Sequence, residues 1–442
     1  MYIKDNVIWK SRSYGSLLFD VKSGKKIKLN SMATRIFLMH FSRRETMEDI
    51  IRILSYEYNI EKSQIEKDVK EFFDSIKNSG MVTEDIKRKG VINLLEIEPP
   101  LDTCTLVITG RCNLNCKHCF VSGNRPTEEL ATNEIKTLID DLATLKIFDL
   151  VITGGEPLLR NDLIEILHYC NSKNIHVTLF TNGTLINDEF IDKIKNLSIF
   201  LRVSLDGATE EMNDFVRGTG VYKKVISAIK KSVSANIPTG IATVIYKNNF
   251  SEYDKMIDLA KELGVSEFEM SPIILIGNAM TNQELALSSE QIEELRLYNL
   301  KRSFDTPIVR DSLGIDGLLD TVFDVEELNG REMCSAGRST CAVSPKGDIY
   351  PCQLFMDFSE MCAGNIKVQS IIEIWENSLI FEKFRKLSAK NIKKCASCEC
   401  LTSCAGGCRA RAYAQFKSLY APMDDGFCNV TRSIWNKFCE GV

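Results

Sequence analysis

Between residues 101 and 273 the chain alternates, six times over, a short apolar run with a helical pattern. The runs fall at 104–108 (CTLVI), 150–153 (LVIT), 175–180 (IHVTLF), 199–205 (IFLRVSL), 239–246 (TGIATVIY) and 267–273 (EFEMSPI), with helical periodicity between them, as at 133–146, 221–235 and 251–263. Continuous apolar strands joined by helices predict a parallel sheet covered on its faces. Six such units curve into a full or partial barrel, whose chemistry gathers at the C-terminal ends of the strands.

The loop after the first run reads RCNLNCKHCF and places Cys112, Cys116 and Cys119 together. Structural zinc wants four tetrahedral ligands, commonly as paired Cys-x-x-Cys knuckles. A fully ligated [4Fe–4S] cluster also takes four thiolates. Here the next cysteine, Cys170, is far down the chain. Three thiolates on a four-iron cluster would leave one iron open to a small molecule. The 442-residue chain holds 16 cysteines, none before Cys104 and ten between Cys334 and Cys428. No run of about 18 apolar residues is present, and MYIKDNVIWKSRSYG does not read as a signal peptide. The expectation is a cytoplasmic protein with no membrane span, where disulfides are disfavoured and metal ligation best explains the thiols. The length suggests two or three domains, and 26% charged with 44% hydrophobic residues fits a soluble globular enzyme. A net charge of −5 argues against a general nucleic-acid binder.

Residues 1–85 read as a separate unit of three β-type runs (VIWKS, GSLLFDV, KKIKL) followed by three helices. Ser31 is the expected N-cap of the first helix. The third has Ile65, Val69, Phe72, Phe73 and Ile76 at helical spacing and Gly80 after its end. Residues 86–100 read as a linker closed by two prolines. The expected barrel spans 101–310, and 311–442 form a cysteine-rich domain whose fold depends on bound metal. The expected class is α/β: a partial (β/α)6 TIM-like barrel with an N-terminal winged-helix-like domain and a C-terminal iron–sulfur domain. Cys104 and Cys170 are expected in the core.

The triad Cys112-x-x-x-Cys116-x-x-Cys119 after a first barrel strand resembles the signature of the radical SAM superfamily. TGGEP (Gly154, Gly155, Glu156) follows the second strand, TNG with Asn182 the third, and SLDG with Ser204 and Asp206 the fourth; FVRGTG then brings Arg217. Singly, Gly-Gly or Asn-Gly is an ordinary turn. A structural role does not predict their gathering at one barrel rim. The resemblance implies that the three cysteines hold a catalytic [4Fe–4S] cluster whose open iron is chelated by S-adenosylmethionine (SAM). It implies that His118 takes the position whose backbone contacts the adenine. It implies that Gly154 and Gly155 permit close backbone approach and that Glu156 accepts from the SAM ammonium. Asn182, Ser204 and Asp206 are then candidates for ribose and methionine contacts, and Arg217 for the SAM carboxylate.

The C-terminal cysteines resemble the SPASM extension of that superfamily. Cys334 leads through Gly347 to Cys352, then Cys395-x-x-Cys398, Cys404, Cys408 and Cys428. The resemblance implies two auxiliary [4Fe–4S] clusters, one on Cys334, Cys352 and Cys408, the other on Cys395, Cys398, Cys404 and Cys428. The fourth ligand of the first stays open between Cys341, Cys362, a substrate thiol and a vacant iron. Cys400 and Cys439 have no assigned role. The N-terminal unit, roughly 5–85, resembles the PqqD-like peptide-recognition element, in which a leader peptide adds a strand to the sheet edge. Residues 1–80 carry 15 basic and 11 acidic side chains, a net of +4 that suits an acidic leader. A DNA-binding winged helix is the alternative.

Together these imply a maturase of a ribosomally made peptide. It would reductively cleave SAM to a 5′-deoxyadenosyl radical, abstract hydrogen from a leader-bearing precursor and close a thioether of sactipeptide or ranthipeptide type. A flavodoxin or ferredoxin would supply electrons, and neither nucleic acid nor membrane is an expected partner. Carbon–carbon cross-linking and formylglycine formation on a sulfatase are the enzymatic alternatives. A polycluster electron carrier or a zinc-bound regulator is the non-enzymatic one.

Overall fold

The computed structural model describes residues 1–12, 15–85, 99–120, 128–275, 277–310, 334–423 and 425–439. Most of the expected linker, 86–98, and residues 311–333 of the expected C-terminal domain lie outside the described residues.

The chain opens with β1 (Tyr2–Ile3), β2 (Val7–Arg12), β3 (Gly15–Asp20) and β4 (Lys26–Asn30), then α1 (Ser31–Phe41), α2 (Met47–Tyr58), α3 (Lys62–Asn78) and β5 (Val82–Thr83). Strands β2, β3 and β4 form an antiparallel sheet, and β1 pairs with β5, tying the two ends of the unit together. The N-cap of α1 is Asn30 rather than Ser31: the Asn30 side chain accepts from the Ala33 amide at 2.8 Å, and Ser31 is already helical. A short carboxamide caps as well as a hydroxyl, so sequence alone could not separate the two neighbours. Ile65, Val69, Phe73 and Ile76 of α3 are buried, and Gly80 follows at φ +80°.

The barrel runs β6 (Thr103–Thr109), α4 (Thr132–Thr144), β7 (Asp149–Gly154), α5 (Leu163–Ser172), β8 (His176–Thr181), α6 (Asp188–Ile194), β9 (Ile199–Ser204), α7 (Glu210–Arg217), α8 (Val221–Ser234), β10 (Thr239–Ile245), α9 (Tyr253–Glu262) and β11 (Glu267–Pro272), followed by α10 (Ser289–Asp305) and β12 (Val309–Arg310). Strands β6 to β12 pair in chain order and all run parallel. Their outward residues, such as Leu106, Ile152, Leu179, Leu201 and Val203, are buried in one large core. Other residues of the strands are less apolar than the runs suggest. Arg202 binds both Glu267 and Glu269 at 2.6 Å.

Beyond residue 334 come β13 (Thr340–Val343), β14 (Asp348–Tyr350), β15 (Gly364–Asn365), α11 (Ile371–Asn377), α12 (Leu379–Arg385), α13 (Leu401–Cys404), α14 (Arg409–Phe416) and α15 (Asp425–Cys439). The cysteine-rich segment is not structurally separate from the barrel. Strand β13 adds parallel to β6, and β14 and β15 extend the same sheet antiparallel to ten strands. In that register Cys341 lies opposite Cys104, and both are fully buried in the main core, as is Cys170.

The N-terminal unit docks on the barrel at the N-terminal ends of the strands. The Lys10 ammonium donates to the Leu101 carbonyl at 2.6 Å and lies 3.4 Å from Asp102, which also pairs with Arg12. His176 Nδ1 and Ser198 Oγ both meet the Val21 carbonyl, and Phe19 packs on Phe148 with ring centroids 5.1 Å apart. This unit therefore stands at the end of the barrel opposite the cysteine loop. At about 3.3 Å per strand residue, the separation is on the order of 20 Å.

Candidate active site

Loops at the C-terminal ends of β6 to β11 enclose a cavity of about 370 Å³. Cys112, Cys116, His118, Cys119, Gly154, Gly155, Asn182, Ser204 and Arg217 all line it, as do Gln353 and Leu354, the two residues after Cys352. Residues from six strand ends and from the C-terminal segment thus meet in one place.

Expected contact residues divide into those that face the cavity and those that hold its wall. Glu156 is fully buried and does not line it. Its carboxylate accepts from the Asn182 amide at 2.7 Å, the Thr181 hydroxyl at 2.8 Å and the Leu158 amide at 3.1 Å. Burial raises this carboxyl above its ordinary range, and the three donors oppose that rise. The Glu156 carboxylate thereby bolts the ends of β7 and β8 together.

Asp206 is likewise fully buried behind the wall. It accepts from Arg217 Nε at 2.6 Å, from His118 Nε2 at 3.0 Å and from the Val244 amide at 2.8 Å. Burial alone would raise its carboxyl; the guanidinium and the imidazole beside it outweigh that and hold it below the usual carboxylate range. Arg217 was expected to meet a ligand carboxylate, and its Nε is committed to Asp206 although the side chain still lines the cavity. The Asn182 carboxamide donates to Asn113 Oδ1 at 2.9 Å and accepts from Thr184, so it braces the cysteine loop.

The two glycines do permit close approach, but of the chain to itself. A Cβ on Gly155 would stand 2.2 Å from the Arg111 carbonyl oxygen, and one on Gly154 2.5 Å from that of Thr109. The root of the cysteine loop thus rests directly on the TGGEP turn. Gly155→Ala is expected to displace that loop at a cost of about 1–3 kcal/mol and to lower the iron held by the first cysteine set. Iron content and thermal melting of the variant check this.

Several residues of this site were not legible in advance. The Asn278 amide donates to the Cys119 carbonyl at 2.8 Å, and its side chain reaches Asn115 and the Cys116 carbonyl; Asn282 reaches the Lys117 carbonyl. Glu129 holds Arg111 through both carboxylate oxygens at 3.0 and 3.1 Å. The asparagines of GNAMTNQEL just beyond the sixth strand were the only available signal.

The C-terminal cysteines form two further groups. Cys334, Cys352 and Cys408 pack on a second apolar core around Phe355, Phe384 and Tyr413, and the thiols of Cys334 and Cys408 act on that of Cys352. Cys395, Cys398, Cys404 and Cys428 line one small cavity with Cys400, a fifth thiol to which the spacing pattern gave no role. Cys341, turned to Cys104, belongs to the main core, whereas Cys362 packs on the second one.

Among the described residues no three or more His, Cys, Asp or Glu side chains already converge as a metal-ligating group. Burial pushes the Cys116 and Cys404 thiols up to about 11, so binding a metal there must displace protons. The donors fit an iron–sulfur centre nonetheless. Three soft thiols share a loop at a cavity of nucleoside size, and His118 Nδ1, buried at the wall, has no hydrogen-bond partner. No helix among the described residues is long and apolar enough to cross a membrane.

Comparison with known proteins agrees with this geometry. A sequence profile for the radical SAM superfamily matches residues 106–260, one for an iron–sulfur cluster-binding domain (SPASM) matches 334–399, and one for coenzyme PQQ synthesis protein D matches 15–82. The chain is 33% identical over 327 residues to an AdoMet-dependent heme synthase of Methanosarcina barkeri, covering 70% of this chain and 90% of that protein. It is 31% identical over 320 residues to the mycofactocin maturase MftC of Mycobacterium tuberculosis, covering 70% and 78%. The crystal structure of Streptococcus suis SuiB bound to precursor peptide SuiA superposes with a TM-score of 0.69 over 96% of this chain and 99% of that one, at 16% identity, a likeness of fold.

Proposed function

The chain belongs to the radical SAM superfamily and carries a SPASM domain, and on that premise we propose that it is the maturase of a leader-bearing precursor peptide, in which it closes a thioether. It is an enzyme that works with [4Fe–4S] clusters and SAM. Cys112, Cys116 and Cys119 would hold the catalytic cluster, which when bound supplies the electron that splits SAM and yields a 5′-deoxyadenosyl radical.

The remaining work falls to the chain. Asn278, Asn282 and Glu129 fix the cysteine loop, the Glu156 carboxylate joins the ends of β7 and β8, and Asp206 orients Arg217 and His118 at the wall. In the thioether reaction the peptide gives up one hydrogen atom from carbon, one proton from a cysteine and one electron. The auxiliary cysteines are suited to receive that electron, because Gln353 beside Cys352 lines the same cavity. A flavodoxin or ferredoxin is the proposed source of reducing electrons.

One observation carries the peptide reading: the PqqD-like match covers 15–82, and the N-terminal unit that contains it is bolted to the barrel through Lys10, Arg12 and Val21. It docks at the far end of the barrel, so a captured leader needs a spacer on the order of 20 Å. That amounts to roughly six or more extended residues before the modified position. A leaderless peptide is expected to lose about 10²–10⁴ in turnover at low concentration, while SAM cleavage without peptide is unchanged. Equal turnover of both peptides rules the tether out.

The decisive test co-expresses the enzyme with a Cys-containing precursor encoded beside its gene. Loss of two hydrogens with a thiol that no longer alkylates supports the thioether. The same loss with a free thiol points to carbon–carbon cross-linking, and an unchanged peptide refutes the maturase. A second reading, action on an iron tetrapyrrole, is favoured by the 33% identity to the heme synthase. It predicts tetrapyrrole turnover that is indifferent to any leader.

A further inference from the structure

Arg409 opens α14 between the two auxiliary cysteine groups and has no solvent exposure. Its donors go to backbone carbonyls: Nη1 to Leu419 at 3.0 Å and Ala421 at 2.7 Å, Nε to Gly407 at 3.2 Å, and Nη2 to Gly406. Among the described residues no carboxylate pairs with it. A buried ion without a counter-charge is costly even when its hydrogen bonds are made. The groups that act on its charge are thiols from both sets, Cys395 and Cys404 of one and Cys334 and Cys408 of the other. The Arg409 amide also donates toward the Cys334 sulfur.

Protonated thiols do not balance a guanidinium. Thiolates bound to iron do, and a cluster held by thiolates gains negative charge on reduction. A fixed positive charge buried beside it therefore favours the reduced form. Arginine suits this place because it cannot release its proton and because its planar fork satisfies several carbonyls at once. The loop Gly406–Gly407 that accepts from it connects Cys404 of one set to Cys408 of the other, so one side chain ties both ligand groups together.

We infer that Arg409 is the shared counter-charge of the two auxiliary sites and raises the reduction potentials of both, making them better electron acceptors. The inference rests on the reading that these cysteines hold [4Fe–4S] clusters. It acts through charge, so Arg409 is a positioning and tuning residue.

The test uses the full chain, reconstituted anaerobically, with Cys112, Cys116 and Cys119 replaced by alanine so that only auxiliary signals remain. Iron and sulfide are counted, and EPR-monitored titrations give midpoint potentials for the parent, Arg409→Gln and Arg409→Lys. The expected result is retained iron in both variants, with both auxiliary signals at more negative potential in the Gln variant and close to the parent in the Lys variant. Unchanged potentials in the Gln variant, or a shift at one site alone, overturn the inference. Loss of iron from both variants also overturns it, because a mere carbonyl scaffold fails with either residue. A parent that holds no auxiliary iron instead sinks the underlying cluster reading.

Discussion

Alanine at Cys112, Cys116 and Cys119 is expected to reduce SAM cleavage to background while the iron held by the C-terminal cysteines stays in place. The three thiols share one loop, and that loop is clamped by groups that do not depend on the sulfurs: Asn278 on the Cys119 carbonyl, Arg111 on Glu129, and the Gly155 turn beneath the Arg111 carbonyl. Removing the thiols therefore deletes ligands without collapsing the cavity. Cys334, Cys352, Cys395 and Cys408 rest on an apolar core of their own around Phe355 and Phe384, so the C-terminal cysteines are expected to keep their iron. The readouts are 5′-deoxyadenosine formed under dithionite and iron per chain. Cleavage that survives the triple substitution refutes the assignment of the catalytic set. Loss of all iron refutes the independence of the auxiliary sites.

Asp206→Asn is expected to be the most destabilising single change at the site. It removes the carboxylate that Arg217 and His118 share in a fully buried position and leaves the guanidinium without a counter-charge. Breaking such a pair costs about 3–5 kcal/mol, which in a barrel of this size reads as a melting shift on the order of 10 °C. The sign of its pH dependence follows from the carboxyl being held low in the folded chain. The stability from Asp206 is fully present above the unfolded carboxyl value of about 3.9 and is lost as pH falls through the lower folded value. The variant should therefore lose part of the acid-induced destabilisation as well as SAM affinity. A melting shift within about 2 °C of the parent would show that the pair is dispensable.

The strand–helix alternation and the observed β6 to β11 agree within a residue or two, because hydrophobic periodicity is a local property that the sheet and its covering helices then satisfy. Of the barrel candidates, the three cysteines, His118, Gly154, Gly155, Asn182, Ser204 and Arg217 line one cavity, while Glu156 and Asp206 stand behind its wall. What pattern could not supply was direction. Gly154 and Gly155 read as places of close backbone approach, and the backbone that approaches them is that of Thr109 and Arg111. Cys341 read as a possible cluster ligand, yet the pleat of β13 turns it to Cys104. The ten-stranded continuity through β13 was invisible because a parallel pairing between residues 103 and 340 leaves no local signature.

The amino-acid sequence on its own determined the order of elements, the loop that carries three thiols and the two later cysteine groups, since each is written in short-range spacing. Only the tertiary structure decided which polar groups meet: Asp206 with Arg217 and His118, Glu156 with the Asn182 amide, Asn278 with the cysteine loop, and Arg409 between two thiol sets. Those partners come from separate loops and strand ends, and a buried charge or amide finds its counterpart through space, where burial makes an unmet polar group too costly to leave.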